Sequence, residues 1–125
     1  MDQPAKQILL VENSKTARVS IIRKLSDIGY QVKTVQSGKE AVEITQQMHF
    51  DLIVMDLFLP ELNGYEAAKL IRTLEKPAAK TPIFAYSSSD DPLDKERCKE
   101  VGIDEYILKS ADHQMLIDKM TAYHI

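Results

Sequence analysis

Apolar residues along this chain collect in short runs, and each strong run stops at a polar or charged residue. Ile8-Leu9-Leu10-Val11 stops at Glu12-Asn13, and Leu52-Ile53-Val54-Met55 stops at Asp56. Pro82-Ile83-Phe84-Ala85-Tyr86 stops at Ser87-Ser88-Ser89, and Glu105-Tyr106-Ile107-Leu108 stops at Lys109-Ser110. A weaker run, Gln31 to Val35, carries Val32 on one face. Aliphatic and β-branched runs without polar alternation predict strands buried on both faces.

The stretches between them repeat apolar residues at helical spacing. Ala17, Ile21, Leu25 and Ile28 predict a helix with Ser14 as N-cap and Gly29 as its stop. Ser37 opens a second helix, with Glu40 three residues on as a capping box and Ala41, Ile44 and Met48 inward. Gly64 to Leu74 forms a third, with Ala67, Ala68 and Ile71 inward, before a polar loop from Glu75 to Thr81. A fourth spans about residues 91 to 101, with Pro92 in its first turn and Gly102 at its end. Its apolar content is thin: Leu93, Cys98 and Val101. The last runs from about Asp112 to Tyr123, with Met115, Leu116 and Met120 inward. Five strands alternating with five helices predict an α/β fold, a parallel sheet covered by helices on both faces.

Composition narrows the reading. The 125 residues fit one domain (residues 1–125, core about 7–123) large enough to bury its own core. The formal net charge of -3 gives no support for direct nucleic-acid binding. A single cysteine, Cys98, excludes an internal disulfide and a zinc cluster and suits a reducing cytoplasm. No stretch approaches the ~20 apolar residues of a membrane span, and Met1 to Lys6 is polar with no export signal, so a cytoplasmic location is expected. His49, His113 and His124 are scattered without ligand spacing. Lys69, Arg72, Lys76 and Lys80 read as solvated faces, and Asp90, Asp91 and Asp94 as favourable charges at a helix start.

Parallel strands share a direction, so the residues after them meet at one sheet edge. That edge would hold Glu12, Asn13, Asp56, Ser87, Ser88 and Lys109. Taken alone, Asp56 reads equally well as a cap on a strand or turn. Together the set has a chemistry. Neighbouring carboxylates raise each other's pKa, and a divalent cation relieves them; acid and amide oxygens suit Mg2+. A carboxylate attacks phosphorus to give an acyl phosphate. Lys109 would neutralise the phosphoryl oxygens and Ser87 would donate to one of them.

At these residues the sequence resembles the receiver domain of two-component response regulators. The resemblance rests on residues 8–13, Asp56-Leu57-Phe58-Leu59-Pro60 with Gly64, Ala85-Tyr86-Ser87-Ser88, and Tyr106-Ile107-Leu108-Lys109. It covers nearly the whole chain and implies a flavodoxin-like (βα)5 fold with strand order 2-1-3-4-5. It implies Asp56 as phosphoacceptor, with Ser87 and Lys109 serving the transfer and Ser88 leaving room for the phosphoryl group. Mg2+ would be held by Glu12, Asn13, Asp56 and the backbone carbonyl of Phe58. Ser87 and Tyr106 would form the switch. The donor would be a histidine kinase or a histidine phosphotransfer protein, and an output partner of unknown identity would meet the face of the fourth helix, fifth strand and fifth helix. Such a protein is a phosphoacceptor and not an enzyme in its own right. A homodimer is compatible with it.

Two positions depart from the family pattern. Asn13 stands where an Asp is usual, which predicts weaker Mg2+ binding. Ser110 stands where a proline is usual, which predicts a trans Lys109–Ser110 bond, because a cis bond before a non-proline residue costs about 2.5–4 kcal/mol. These departures motivate an alternative, a pseudo-receiver that binds partners without phosphorylation. Haloacid-dehalogenase-like chemistry is opposed by Phe58, where a second acid would be needed. A nucleotide or flavin carrier is opposed by the acidic, glycine-free Glu12-Asn13-Ser14.

Overall fold

The computed structural model describes residues 4–75 and 77–125; Lys76 and the first three residues of the N-terminal segment lie outside them. The strands are β1 (Gln7–Val11), β2 (Gln31–Val35), β3 (Leu52–Met55), β4 (Ile83–Ser87) and β5 (Glu105–Leu108). The helices are α1 (Lys15–Asp27), α2 (Gly38–Thr45), α3 (Gly64–Ile71), α4 (Pro92–Glu100) and α5 (Gln114–Ala122). All strand pairs are parallel and the order is β2-β1-β3-β4-β5, the flavodoxin-like arrangement expected.

Alternation within each strand divides the core in two. Ile8, Leu10, Leu52, Val54, Phe84 and Tyr86 face α1 and α5, where Ile21, Leu25, Leu116 and Met120 meet them. Leu9, Val11, Ile53, Met55, Ile83 and Ala85 face the other side, against Ala41, Ala67, Ala68, Ile71 and Cys98. All four residues of β3 are fully buried, each stabilising the fold by roughly 1.5–3 kcal/mol. The order reverses between β1 and β3, so the crevice at their carboxyl ends is where an open sheet of this type holds its ligand.

Local signals set most element ends. Ser14 and Ser37 accept from the backbone N–H groups of Ala17 and Glu40. The complete reciprocal capping box lies instead at Asn63 and Glu66, at the start of α3. Several inward assignments fail because helices end earlier than their apolar pattern. Met48 falls beyond the end of α2 and is exposed; Thr45 takes the inner position and donates its hydroxyl to the carbonyls of Ala41 and Val42. Ile28 is the C-cap of α1 and points to solvent. α3 stops at Ile71, short of Leu74. Leu93 and Met115 are 66% and 53% exposed, so α4 buries Cys98 alone and α5 turns its inner stripe through His113, Leu116 and Met120.

Arg72 is not a solvated side chain. Its guanidinium donates to the carbonyls of Gly102 (2.9 Å), Thr81 (2.6 Å) and Ala79 (3.3 Å) and to Asp104 Oδ2 (2.8 Å). Asp104 Oδ2 also accepts from Ile83 N. One side chain therefore ties the amino ends of β4 and β5 to the end of α3.

At the opposite edge, Gly64 allows α3 to start against the end of β3. A Cβ there would lie 2.5 Å from Asp56 O and 2.8 Å from Leu57 Cα. Gly64→Ala should therefore destabilise the fold by about 1–3 kcal/mol, the usual penalty of overpacking. Urea unfolding measures it, and an unchanged midpoint would remove the close approach.

Candidate functional site

Parallel register brings the strand ends together. Val11 pairs with Met55, Met55 with Ala85, and Ser87 with Leu108. The residues that follow therefore surround one cleft. Asp56 sits on the stub of β3, with its backbone N–H donating to Val11 O (3.0 Å). Glu12, one residue past β1, is 2% exposed although it is a carboxylate. A buried charge needs partners, and Glu12 has two. Lys109 Nζ lies 2.6 Å from Glu12 Oε1, and Ser14 N donates to Oε2 (3.2 Å). Lys109 Nζ also lies 3.9 Å from Asp56 Oδ2. The three charged groups expected at this edge thus form one cluster with a net negative charge.

Burial and that charge balance together set the acidity of Asp56. Its carboxyl is pushed up to about 6, first by burial and then by the Glu12 charge. The Phe58 N–H, which donates to Asp56 Oδ1 (3.2 Å), and the Lys109 ammonium work in the opposite direction without cancelling it.

The other predicted residues lie around this cluster. Ser87 is buried at the end of β4; its carbonyl accepts from Lys109 N (2.8 Å) and its hydroxyl from Ser89 N (3.2 Å). Ser88 is exposed beside it. Tyr106 is half-buried on β5 and donates its hydroxyl to Ser89 O. Asn13 is exposed at the rim, and the Phe58 side chain is 63% exposed. Among the described residues no three His, Cys, Asp or Glu side chains converge as a metal cluster. The donor set is two carboxylates, one amide and backbone carbonyls. Two acids held together with only one cation between them fit a hard divalent ion, though with fewer charged ligands than three acids would supply.

The family described as the response regulator receiver domain matches residues 8–121. This chain belongs to that family. Receivers of two-component systems are phosphoacceptors on aspartate. The receiver is 29% identical over 118 residues to the CAI-1 autoinducer sensor kinase/phosphatase CqsS of Vibrio cholerae, covering 94% of this chain and 17% of that protein. It is 31% identical over 116 residues to the response regulator ArlR of Staphylococcus aureus, covering 93% of this chain and 51% of the relative. The chain therefore spans about half or less of these relatives. In three dimensions it is similar to the receiver domain of the sensor histidine kinase PA1611 of Pseudomonas aeruginosa. The TM-score is 0.87 at 30% identity, covering 95% of this chain and 97% of that one, and that structure has a magnesium ion coordinated in its active-site cleft. The Vibrio cholerae chemotaxis protein CheY4 gives a TM-score of 0.86 at 28% identity, covering 94% and 98%.

Three side chains around the receiver cleft escaped the sequence reading. Arg18 Nη1 donates to the carbonyls of Glu12 (3.1 Å) and Asn13 (2.9 Å), holding the loop that carries both. Asp94 does more than favour a helix start: it accepts from Tyr65 OH (3.1 Å) and Ser89 Oγ (2.8 Å). His113 is buried, with a partner on each ring nitrogen. Only His113 left a legible signal, since it stands at i−3 and i−7 from Leu116 and Met120 on the inner stripe of α5.

The raised pKa of Asp56 makes stability depend on pH. Well below the ordinary value of 3.8, both folded and unfolded chains hold the proton and no penalty exists. As pH rises from there through about 6, the unfolded chain releases its proton first and the folded state loses ground. In metal-free buffer Asp56→Asn should be more stable than the native receiver by about 1–3 kcal/mol at neutral pH. The advantage should fade as pH approaches 4 in urea titrations. A pH-independent difference would mean that neither burial nor Glu12 raises the pKa of Asp56 in the folded chain.

Proposed function

We propose that Asp56 accepts a phosphoryl group from a phosphohistidine donor and that residues 7–123 act as one signalling switch in the cytoplasm. The observation that carries the reading is the cluster of Asp56, Glu12 and Lys109. An Asp56 carboxylate oxygen attacks phosphorus; the P–N bond of the donor breaks, the imidazole leaves and takes a proton from solvent, and an acyl phosphate forms. With its carboxyl at about 6, Asp56 is mostly ionised at neutral pH, as a nucleophile must be. Lys109, 3.9 Å from Asp56 Oδ2, is near enough to meet the incoming phosphoryl oxygens. Ser87 contributes its hydroxyl, and exposed Ser88 leaves the approach open.

Glu12, Asn13, Asp56 and the Phe58 carbonyl would hold Mg2+, which supplies charge neutralisation for the transferred group when bound. Asn13 brings an oxygen without a charge, so binding is weaker than with an acid there. The output runs through Ser87, whose hydroxyl is bonded to Ser89 N, and Ser89 O is held by Tyr106. Drawing Ser87 inward pulls on this chain and alters the face of α4, β5 and α5 offered to an output partner.

Incubation with acetyl phosphate and Mg2+, read by intact mass, should add one phosphoryl group to the native chain and none to Asp56→Asn. No addition to a folded native chain would overturn the phosphoacceptor reading and favour a partner-binding pseudo-receiver. Asn13→Asp should tighten Mg2+ by about tenfold, the equivalent of ~1.4 kcal/mol. Equal affinities in a calorimetric titration would show that position 13 does not reach the ion.

A further inference from the structure

The loop that delivers Lys109 to the cleft is fastened at both ends to two successive residues of β4. At its start, Lys109 N donates to Ser87 O (2.8 Å). At its end, His113 Nδ1 lies 2.5 Å from Tyr86 OH. The intervening residues close a turn, with His113 N donating to Ser110 O (3.2 Å). The other ring nitrogen, Nε2, lies 2.7 Å from Ser20 Oγ on α1. The same helix carries Arg18, which binds the carbonyls of Glu12 and Asn13. One histidine therefore joins the lysine loop, the strand beneath it and the helix that steadies the acidic loop.

The backbone of His113 makes this arrangement more than packing. Its φ of 56° and ψ of 21° place it in the left-handed region, although it has a side chain and caps α5 without a side-chain cap bond. Such a conformation is strained for a residue with a Cβ and persists where surrounding contacts hold it. The two ring bonds are those contacts. Burial pushes the pKa of His113 below the usual histidine range, leaving a neutral ring with one donor and one acceptor nitrogen. Serine and tyrosine hydroxyls can meet either need. The His113 ring bonds to Ser20 and Tyr86 rather than to Asp56, Glu12 or Lys109, so it reaches the cleft through the loop.

We propose that His113 is a positioning residue that sets Lys109 against Glu12 and Asp56 by bolting the β5–α5 loop to Tyr86 and Ser20. The inference rests on the phosphoacceptor reading for its consequence, and on the loop geometry alone for its cause.

His113→Gly is the informative variant, because glycine accepts the left-handed backbone while removing the ring. Phosphorylation by acetyl phosphate should slow by about tenfold, within the range that small displacements of a catalytic group produce. Mg2+ affinity should not fall, because a displaced Lys109 competes less with the cation for Glu12 and Asp56, and free imidazole should restore part of the rate. A native rate in His113→Gly, absence of rescue, or a parallel loss of Mg2+ affinity would overturn the proposal. If His113→Gly fails to fold, Tyr86→Phe takes its place: it keeps the packing and removes one anchor. Slower transfer with intact Mg2+ binding supports the proposal, and a native rate overturns it. The Lys109 ammonium, followed by NMR in 15N-lysine protein, separates this inference from the phosphoacceptor reading. Loss of its order in the variant supports the positioning role even if the native chain accepts no phosphoryl group. An unchanged ammonium overturns it.

Discussion

One unbalanced charge cluster governs the carboxyl edge of the sheet. Two carboxylates, Glu12 and Asp56, share a single ammonium, and that ammonium sits against Glu12, at 2.6 Å, rather than Asp56, at 3.9 Å. The preference follows from burial. Glu12 is almost sealed from water and cannot be left unpaired, whereas Asp56 keeps part of its hydration. Asp56 is thus the less compensated acid and the more accessible of the two. The rest of the edge is built around holding this imbalance in place: Ser14 N and Arg18 steady the Glu12 loop, Phe58 N holds one Asp56 oxygen, and Ser87 O anchors the lysine loop.

The fold was readable because its signals are local and repeated. Four aliphatic runs and their polar stops place the strands, and their parallel direction alone gathers Glu12, Asp56, Ser87 and Lys109 at one edge. Caps did most of the remaining work at Ser14 and Ser37, and Pro92 marked the start of α4, whose N-cap is Asp91. Helix lengths were less legible. Ile28, Met48 and Leu74 continue an apolar period past the point where the backbone has turned, and periodicity carries no information about where a cap closes.

The supporting polar contacts were harder to see. Arg72, Asp94 and His113 each look like ordinary charged or polar positions in sequence, yet each binds partners distant along the chain. Arg72 reaches carbonyls that face it only after β4 and β5 are laid side by side. Asp94 meets Tyr65 across α3 and α4. Tyr86 meets His113 because the alternation of β4 turns it toward α5 while Ser87 ends in the cleft. These contacts are products of the assembled topology, and residue type alone does not announce them.

The Arg72 guanidinium has a mechanical meaning for the whole receiver. Its four bonds lock the amino ends of β4 and β5 to α3, far from the cleft. At the other end the same strands run into loops tied by bonds spread over several residues rather than gathered on one: Ser89 N on Ser87, Tyr106 on Ser89, Lys109 N on Ser87 and His113 on Tyr86. Stiffness is therefore graded along the strands. Were Asp56 to take up a phosphoryl group as proposed, the strain would find its compliance in the cleft loops and in thinly buried α4, with the clamped end as a fixed reference. Displacement would then be directed sideways across the surface rather than dissipated down through the sheet.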